Sequence, residues 1–123
     1  MIPAGPVLVV DDDADVRTVV AAILDDAGVL VLEAGSGCDA LACLRATSCV
    51  ALLLTDIIMP GMSGIELARA ACLIHPALRV MFMTGYTPQV PPPGALMLHK
   101  PFRAQALITL VERALPVRSC LAT

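Results

Sequence analysis

Three short apolar runs in this chain each end in charge, and that arrangement restricts the possible folds more than any other feature. Val7-Leu8-Val9-Val10 leads into Asp11, Asp12 and Asp13. Ala51-Leu52-Leu53-Leu54-Thr55 leads into Asp56, and Leu96-Met97-Leu98-His99 leads into Lys100. Short runs that stay apolar without alternating suit strands covered on both faces, as in a parallel sheet. In open parallel sheets, functional groups gather beyond the carboxyl ends of the strands. Three such ends bring carboxylates and an ammonium group to one crevice, a place for a hard cation and a phosphoryl group.

Between these runs the sequence alternates strand and helix. The first strand is Val7–Val10. A helix follows, with Asp13 as its N-cap, Val16, Val19, Val20, Ile23, Leu24 and Ala27 at helical spacing, and Gly28 at its end. Val29–Glu33 reads as the second strand. Ser36 or Gly37 opens a helix that buries Ala40, Leu41 and Leu44, and Val50–Thr55 is the third strand. The turn-rich Met59-Pro60-Gly61-Met62-Ser63-Gly64 leads to a helix ending before Pro76. Arg79–Met83 and Ala95–Leu98 are the last strands, and a final helix runs from about Arg103 to Leu115. Four prolines between Thr87 and Gly94 exclude a full fourth helix, since proline in a helix interior removes a hydrogen bond and clashes with the preceding turn. One turn at Pro88–Val90 is the most expected there. Right-handed crossovers between parallel strands then give an α/β, flavodoxin-like (βα)5 three-layer sandwich. Its five-stranded sheet has the order 2-1-3-4-5, with helix four reduced, and residues 1–123 form a single domain.

Composition narrows the function. The chain is 58% apolar, yet no run reaches the ~18 residues a membrane span requires. Its first residues lack the basic segment and long apolar stretch of a secretory signal, so the cytoplasm is the expected location. Net charge is −3 with no basic run, which argues against direct nucleic-acid binding. Cys38, Cys43, Cys49, Cys72 and Cys120 show no metal-ligand spacing and read as small core residues of a reducing compartment. Met59, Met62, Met81, Met83 and Met97 read as core and loop packing.

Four of the eleven acidic residues fall within positions 11–15, a repulsive cluster that a cation would relieve. In the expected strand order, Asp11 and Asp12 lie beside Asp56, and carboxylates with waters and a phosphoryl oxygen suit Mg²⁺. Lys100 is the chain's one lysine, against seven arginines. A lone lysine at a turn is usually an ordinary surface residue. At a third strand end facing carboxylates, a compact charge on a flexible stem has a use. Thr84, at the end of the fourth strand, would offer a hydroxyl to the same anion.

Val9-Val10-Asp11-Asp12-Asp13, the Leu53–Gly64 stretch, Met83-Thr84-Gly85-Tyr86 and His99-Lys100-Pro101-Phe102 together resemble the receiver domain of bacterial two-component response regulators. The similarity covers nearly the whole chain. It implies that Asp56 is phosphorylated by a histidine kinase or phosphotransfer protein. It implies that Asp12, Asp56 and the Ile58 carbonyl bind Mg²⁺ directly, that Asp11 helps through water, and that Thr84 and Lys100 contact the phosphoryl oxygens. It further implies a phosphoacceptor rather than a turnover enzyme. The chain departs from the family pattern at the reduced fourth helix and at Met97, where many members carry a switching aromatic residue. The Thr-Gly-Tyr and Leu-x-Lys-Pro-Phe wording is similar to receivers attached to hybrid sensor kinases. Two other readings compete: a receiver-fold scaffold that is never phosphorylated, and a Mg²⁺-dependent phosphatase. Asp11, Asp13 and Asp15 alternate like a calcium loop, but Val16 replaces the required glycine and Ala22 the closing glutamate.

Overall fold

The computed structural model describes residues 5–85 and 91–115. Five parallel strands, β1 (Val7–Val10), β2 (Val31–Ala34), β3 (Leu52–Asp56), β4 (Arg79–Thr84) and β5 (Leu96–His99), form one sheet in the order β2-β1-β3-β4-β5. The helices are α1 (Ala14–Asp26), α2 (Gly37–Ala46), α3 (Gly64–Ile74) and α4 (Ala104–Ala114). All of β1 and β3 is buried, as their unbroken apolar runs require. Period-two alternation splits these strands between the two layers. Val7, Val9, Leu52 and Leu54 pack with Val20 and Leu24 of α1 and Leu107 and Val111 of α4. Leu8, Val10 and Leu53 pack with α2 and α3 on the other face.

Local chemistry sets the helix starts. The Asp13 carboxylate accepts from the Asp15 and Val16 amides, and the Ser36 hydroxyl accepts from the Asp39 amide. Ser63 and Glu66 form a reciprocal capping box at α3. The strand boundaries shift from their sequence expectations. β2 begins two residues late because the α1 terminus uses the amide of Val29, which donates to the Leu24 carbonyl at 2.9 Å past Gly28 at φ 84°. β3 begins at Leu52 and runs through Asp56, which pairs in register with Met83. Thr84 belongs to β4 and pairs with His99.

Among the described residues no helix lies between β4 and β5; Pro88–Val90, where at most one turn was expected, lies outside them. A cavity of about 390 Å³ opens over this part of the sheet, between α3 and the Pro92–Ala95 turn. The methionines follow expectation, with Met59, Met81 and Met83 buried and Met62 and Met97 half-buried. The cysteines require a correction. Cys38, Cys49 and Cys72 are exposed and are not core residues, while Cys43 is half-buried and packs against the core between β1 and α2. Their apolar sequence context misleads because a small helical residue beside the buried stripe can still face water. Cys120 lies outside the described residues.

Candidate functional site

The site lies where β1 and β3, adjacent in the sheet, both end in acid. Asp11 follows the last β1 residue and is fully buried; Asp56 is the last residue of β3 and is 9% exposed. Asp12 is exposed at the rim. Carboxylate oxygens of Asp11, Asp12 and Asp56 lie within 4.8 Å of one another. Asp13 turns away to cap α1, so the run of aspartates divides into site and scaffold.

Backbone contacts hold the two buried carboxylates. Asp11 Oδ1 accepts from the Asp13 amide at 3.0 Å, and Asp56 Oδ1 accepts from the Ile57 amide at 2.8 Å. The second oxygens turn to one cation: Lys100 Nζ lies 3.1 Å from Asp11 Oδ2 and 3.2 Å from Asp56 Oδ2. Lys100 arrives there because β5 continues the sheet. Its amide donates to the Thr84 carbonyl at 2.7 Å, which extends the β4–β5 ladder to the strand end. The peptide bond from Lys100 to Pro101 is cis.

The electrostatics are unbalanced, with three carboxylates facing one ammonium. Burial pushes the Asp56 carboxyl above its ordinary range; Lys100 opposes that shift and Asp11 adds to it. Burial by itself would lower the Lys100 pKa. The hydrogen bonds and charges of Asp11 and Asp56 outweigh that, and the net direction is upward.

Asp56 is also fixed through its main chain. Its carbonyl accepts from the Thr55 hydroxyl at 2.9 Å, and a Cβ on Gly64 would lie 1.9 Å from that same oxygen. Glycine at 64 therefore lets the start of α3 close on the strand end. The Gly64 amide donates to the Ile57 carbonyl at 2.8 Å, which seals the loop between them. Ile58 sits in this loop with its side chain half exposed. On the β4 side, Thr84 is buried and its Oγ1 has no hydrogen-bond partner among the described residues. A buried hydroxyl without a partner is unfavourable and marks a place where an acceptor oxygen would fit.

Asp11, Asp12, Asp56 and Lys100 thus meet as the sequence suggests, with Thr84 on the adjacent strand end. Two contacts had no evident sequence signal. Arg17 Nη1 donates to the Asp11 carbonyl at 2.7 Å, and its Nε lies 3.4 Å from Glu33 Oε1. His75, the C-cap of α3, places Nε2 in a hydrogen bond with the Leu44 carbonyl of α2 at 2.6 Å. Helical spacing could have placed Arg17 one turn beyond the Asp13 cap, but its partner on β2 depends on the sheet.

The donor set fits a magnesium-like ion: hard oxygen ligands converge beside an ammonium and a buried hydroxyl. Residues 7–112 match the response regulator receiver domain family. The response regulator receiver protein CpdR of Brucella abortus is 38% identical over 115 residues, covering 89% of this chain and 95% of that protein. The DNA-binding transcriptional regulator NtrC of Salmonella typhimurium is 37% identical over 90% of this chain, which spans 25% of the length of NtrC. The crystal structure of the receiver domain of NtrX from Brucella abortus superposes with a TM-score of 0.77 at 32% identity, over 88% of this chain and 96% of that one.

Proposed function

This chain belongs to the response regulator receiver family, whose members are phosphoacceptor signalling domains, and from that premise we propose that Asp56 is the phosphoacceptor. The observation that carries the reading is the single ammonium of Lys100 held between the buried carboxylates of Asp11 and Asp56. An Asp56 oxygen attacks the phosphorus of a phosphohistidine. The P–N bond breaks, and the imidazole nitrogen leaves with the electron pair. Nucleophile and phosphoryl group are both anionic, so the barrier is electrostatic, and positioned cations reduce it.

Asp12, Asp56 and the Ile58 carbonyl would hold Mg²⁺, with Asp11 acting through water. The ion supplies positive charge to the phosphoryl oxygens. Lys100 pairs with the transferred oxygens, and the Thr84 hydroxyl donates to one of them and gains the partner it lacks. The phosphoryl group adds about −1.5 to −2 of charge at Asp56 and draws the β4 end toward it. The Asp56–phosphoryl bond stops at one group per chain, so the domain assists its own modification without acting as a turnover phosphatase. Ile58 offers no polar side-chain group to orient a hydrolytic water, which supports slow loss of the phosphoryl group. Tyr86, the other residue the family pattern places near that water, lies outside the described residues.

A histidine kinase or phosphotransfer protein is the partner we propose, acting in the cytoplasm, with a kinase attached in the same polypeptide as one arrangement. An apolar cleft of about 410 Å³ beside the site supports such docking; Val16, Val19 and Val20 of α1 and Pro101 and Phe102 line it. No helix among the described residues is long and apolar enough to cross a membrane. Incubation with acetyl phosphate and Mg²⁺, read by intact mass, tests the assignment. One phosphoryl group per wild-type chain and none on Asp56→Ala is expected. A persistent full adduct on Asp56→Ala, or repeated hydrolysis of acetyl phosphate by the wild type at phosphatase rates, would overturn it.

A further inference from the structure

The peptide unit that joins Asp11 to Asp12 carries two of the site's three carboxylates, and a side chain from outside the site holds it. Arg17 Nη1 donates to the Asp11 carbonyl at 2.7 Å. Its Nε faces Glu33 on β2 at 3.4 Å, and Glu33 is the register partner of Val9. The guanidinium passes over Gly35, where a Cβ would lie 3.2 Å from Nη1. The Arg17 amide donates to the Asp13 carbonyl at 3.0 Å, so the helix that Asp13 caps also carries the clamp.

The two aspartates differ in how they are held. The Asp11 carboxylate is fixed by the Asp13 amide and by Lys100. Among the described residues no hydrogen bond fixes the Asp12 carboxylate, so its direction rests on its backbone. The peptide is planar, and the carbonyl that Arg17 grips sets the plane from which the Asp12 side chain departs. A planar guanidinium can engage a carbonyl and a carboxylate together through different nitrogens; a lysine ammonium has no such fork.

We propose that Arg17 is a positioning residue for the cation site, setting the Asp11–Asp12 peptide so that the Asp12 carboxylate faces Asp11 and Asp56. The inference rests on the reading that these carboxylates bind Mg²⁺. Arg17 does not touch the ion, and its charge alone would oppose a cation, so positioning and simple electrostatics predict opposite signs.

Calorimetric Mg²⁺ titration of the full chain tests this, with wild type, Arg17→Ala, Arg17→Lys, Glu33→Gln and Asp12→Ala in parallel. Loss of a group that orients a metal ligand weakens binding by about tenfold or more, and that is the rise in Kd expected for Arg17→Ala. Arg17→Lys keeps the charge and loses the fork, so its affinity falls nearly as far; Glu33→Gln falls less. The rise in Tm caused by Mg²⁺ shrinks in the same order. Unchanged or tighter binding in both Arg17 variants overturns the proposal. So does a parallel loss of Tm with the Mg²⁺ increment intact, which is what a merely structural arginine would show. If Arg17→Ala does not fold, Arg17→Lys and Glu33→Gln decide the matter. A wild type that binds no Mg²⁺, or an Asp12→Ala variant that binds it normally, overturns the metal reading and this inference with it. Loss in Asp12→Ala without loss in the Arg17 variants overturns the inference alone.

Discussion

The β1–β3 half of the site and the β4–β5 half are built to different tolerances. On the first side every strand residue is buried, the Asp56 carbonyl has a hydroxyl donor and a glycine closed over it, and both buried carboxylates have partners. On the second side Thr84 Oγ1 has no partner among the described residues, Leu96 is exposed at the sheet edge, and the cavity beside α3 opens over Val80 and Phe82. Close packing gives Asp56 one position, as in-line transfer to the proposed acceptor would require. The cavity and the exposed edge leave β5 and the turn before it less covered than β3, and a segment with few buried contacts opens at low free-energy cost. On the proposed reading, the nucleophile is held in place while the flank that would respond to it is less constrained.

The largest effect expected from this contrast is at Gly64. An added Cβ would lie 1.9 Å from the Asp56 carbonyl oxygen, a backbone atom that cannot step aside without moving the acceptor. Gly64→Ala should lower stability by about 3 kcal/mol, at the upper end for a single substitution, and depress phosphoryl uptake with it. Urea unfolding monitored by circular dichroism measures this. A loss under about 1 kcal/mol would break the claim that this side is tightly built.

Thr84→Val should separate stability from function. Removing a buried hydroxyl that has no partner should stabilise the fold by roughly 1 kcal/mol. The same change should reduce phosphoryl uptake from acetyl phosphate, because the donor to the phosphoryl oxygen is gone. A destabilised variant would mean that the hydroxyl is already satisfied in the unphosphorylated protein.

A pH series sharpens the account of the tight half. The folded Asp56 carboxyl titrates above its ordinary value of 3.8, chiefly through burial. A group whose pKa is higher folded than unfolded binds its proton more tightly in the native state. Its contribution is full below the unfolded pKa and is lost as pH rises through the folded value. In metal-free buffer, Asp56→Asn should therefore gain stability relative to wild type as pH rises from below 3.8 through the raised value. Denaturant midpoints measured across that range check it, and a gap independent of pH would contradict it. Mg²⁺ at neutral pH should narrow the gap by stabilising the wild type alone.

The smallest effect is expected at Gly85, just past Thr84. Among the described residues a Cβ there meets nothing within 4 Å, and the backbone has ordinary φ. Gly85→Ala should change stability by no more than about 0.4–1 kcal/mol, in the stabilising direction, through the unfolded state. A loss as large as that at Gly64 would erase the distinction between the halves.

Much of this was legible in the sequence because the signals are local. An unbroken apolar run identifies a strand covered on both faces, Asp13 and Ser36 mark helix starts, the turn-rich run to Gly64 leads into α3, and the prolines after Thr87 argue against a long helix. The boundary of β2 was missed because the Val29 amide could serve the helix end or the sheet, and the helix took it. The exposed cysteines were missed because composition does not say which side of a helix a small residue occupies.

The sequence by itself determined the parallel α/β class, the caps and the placing of acid and lysine at strand ends, because each depends on residues within a few positions of one another. Tertiary structure decided which of those groups meet. Lys100 reaches Asp11 across 89 positions and Asp56 across 44. It does so because the strand order brings those ends together and β5 extends past Thr84. The same sheet sets Arg17 between Asp11 and Glu33 and leaves Thr84 without a partner among the described residues. Periodicity records which face of an element is buried. Hydrogen bonds between elements depend on distance and orientation, which exist only once the sheet has formed.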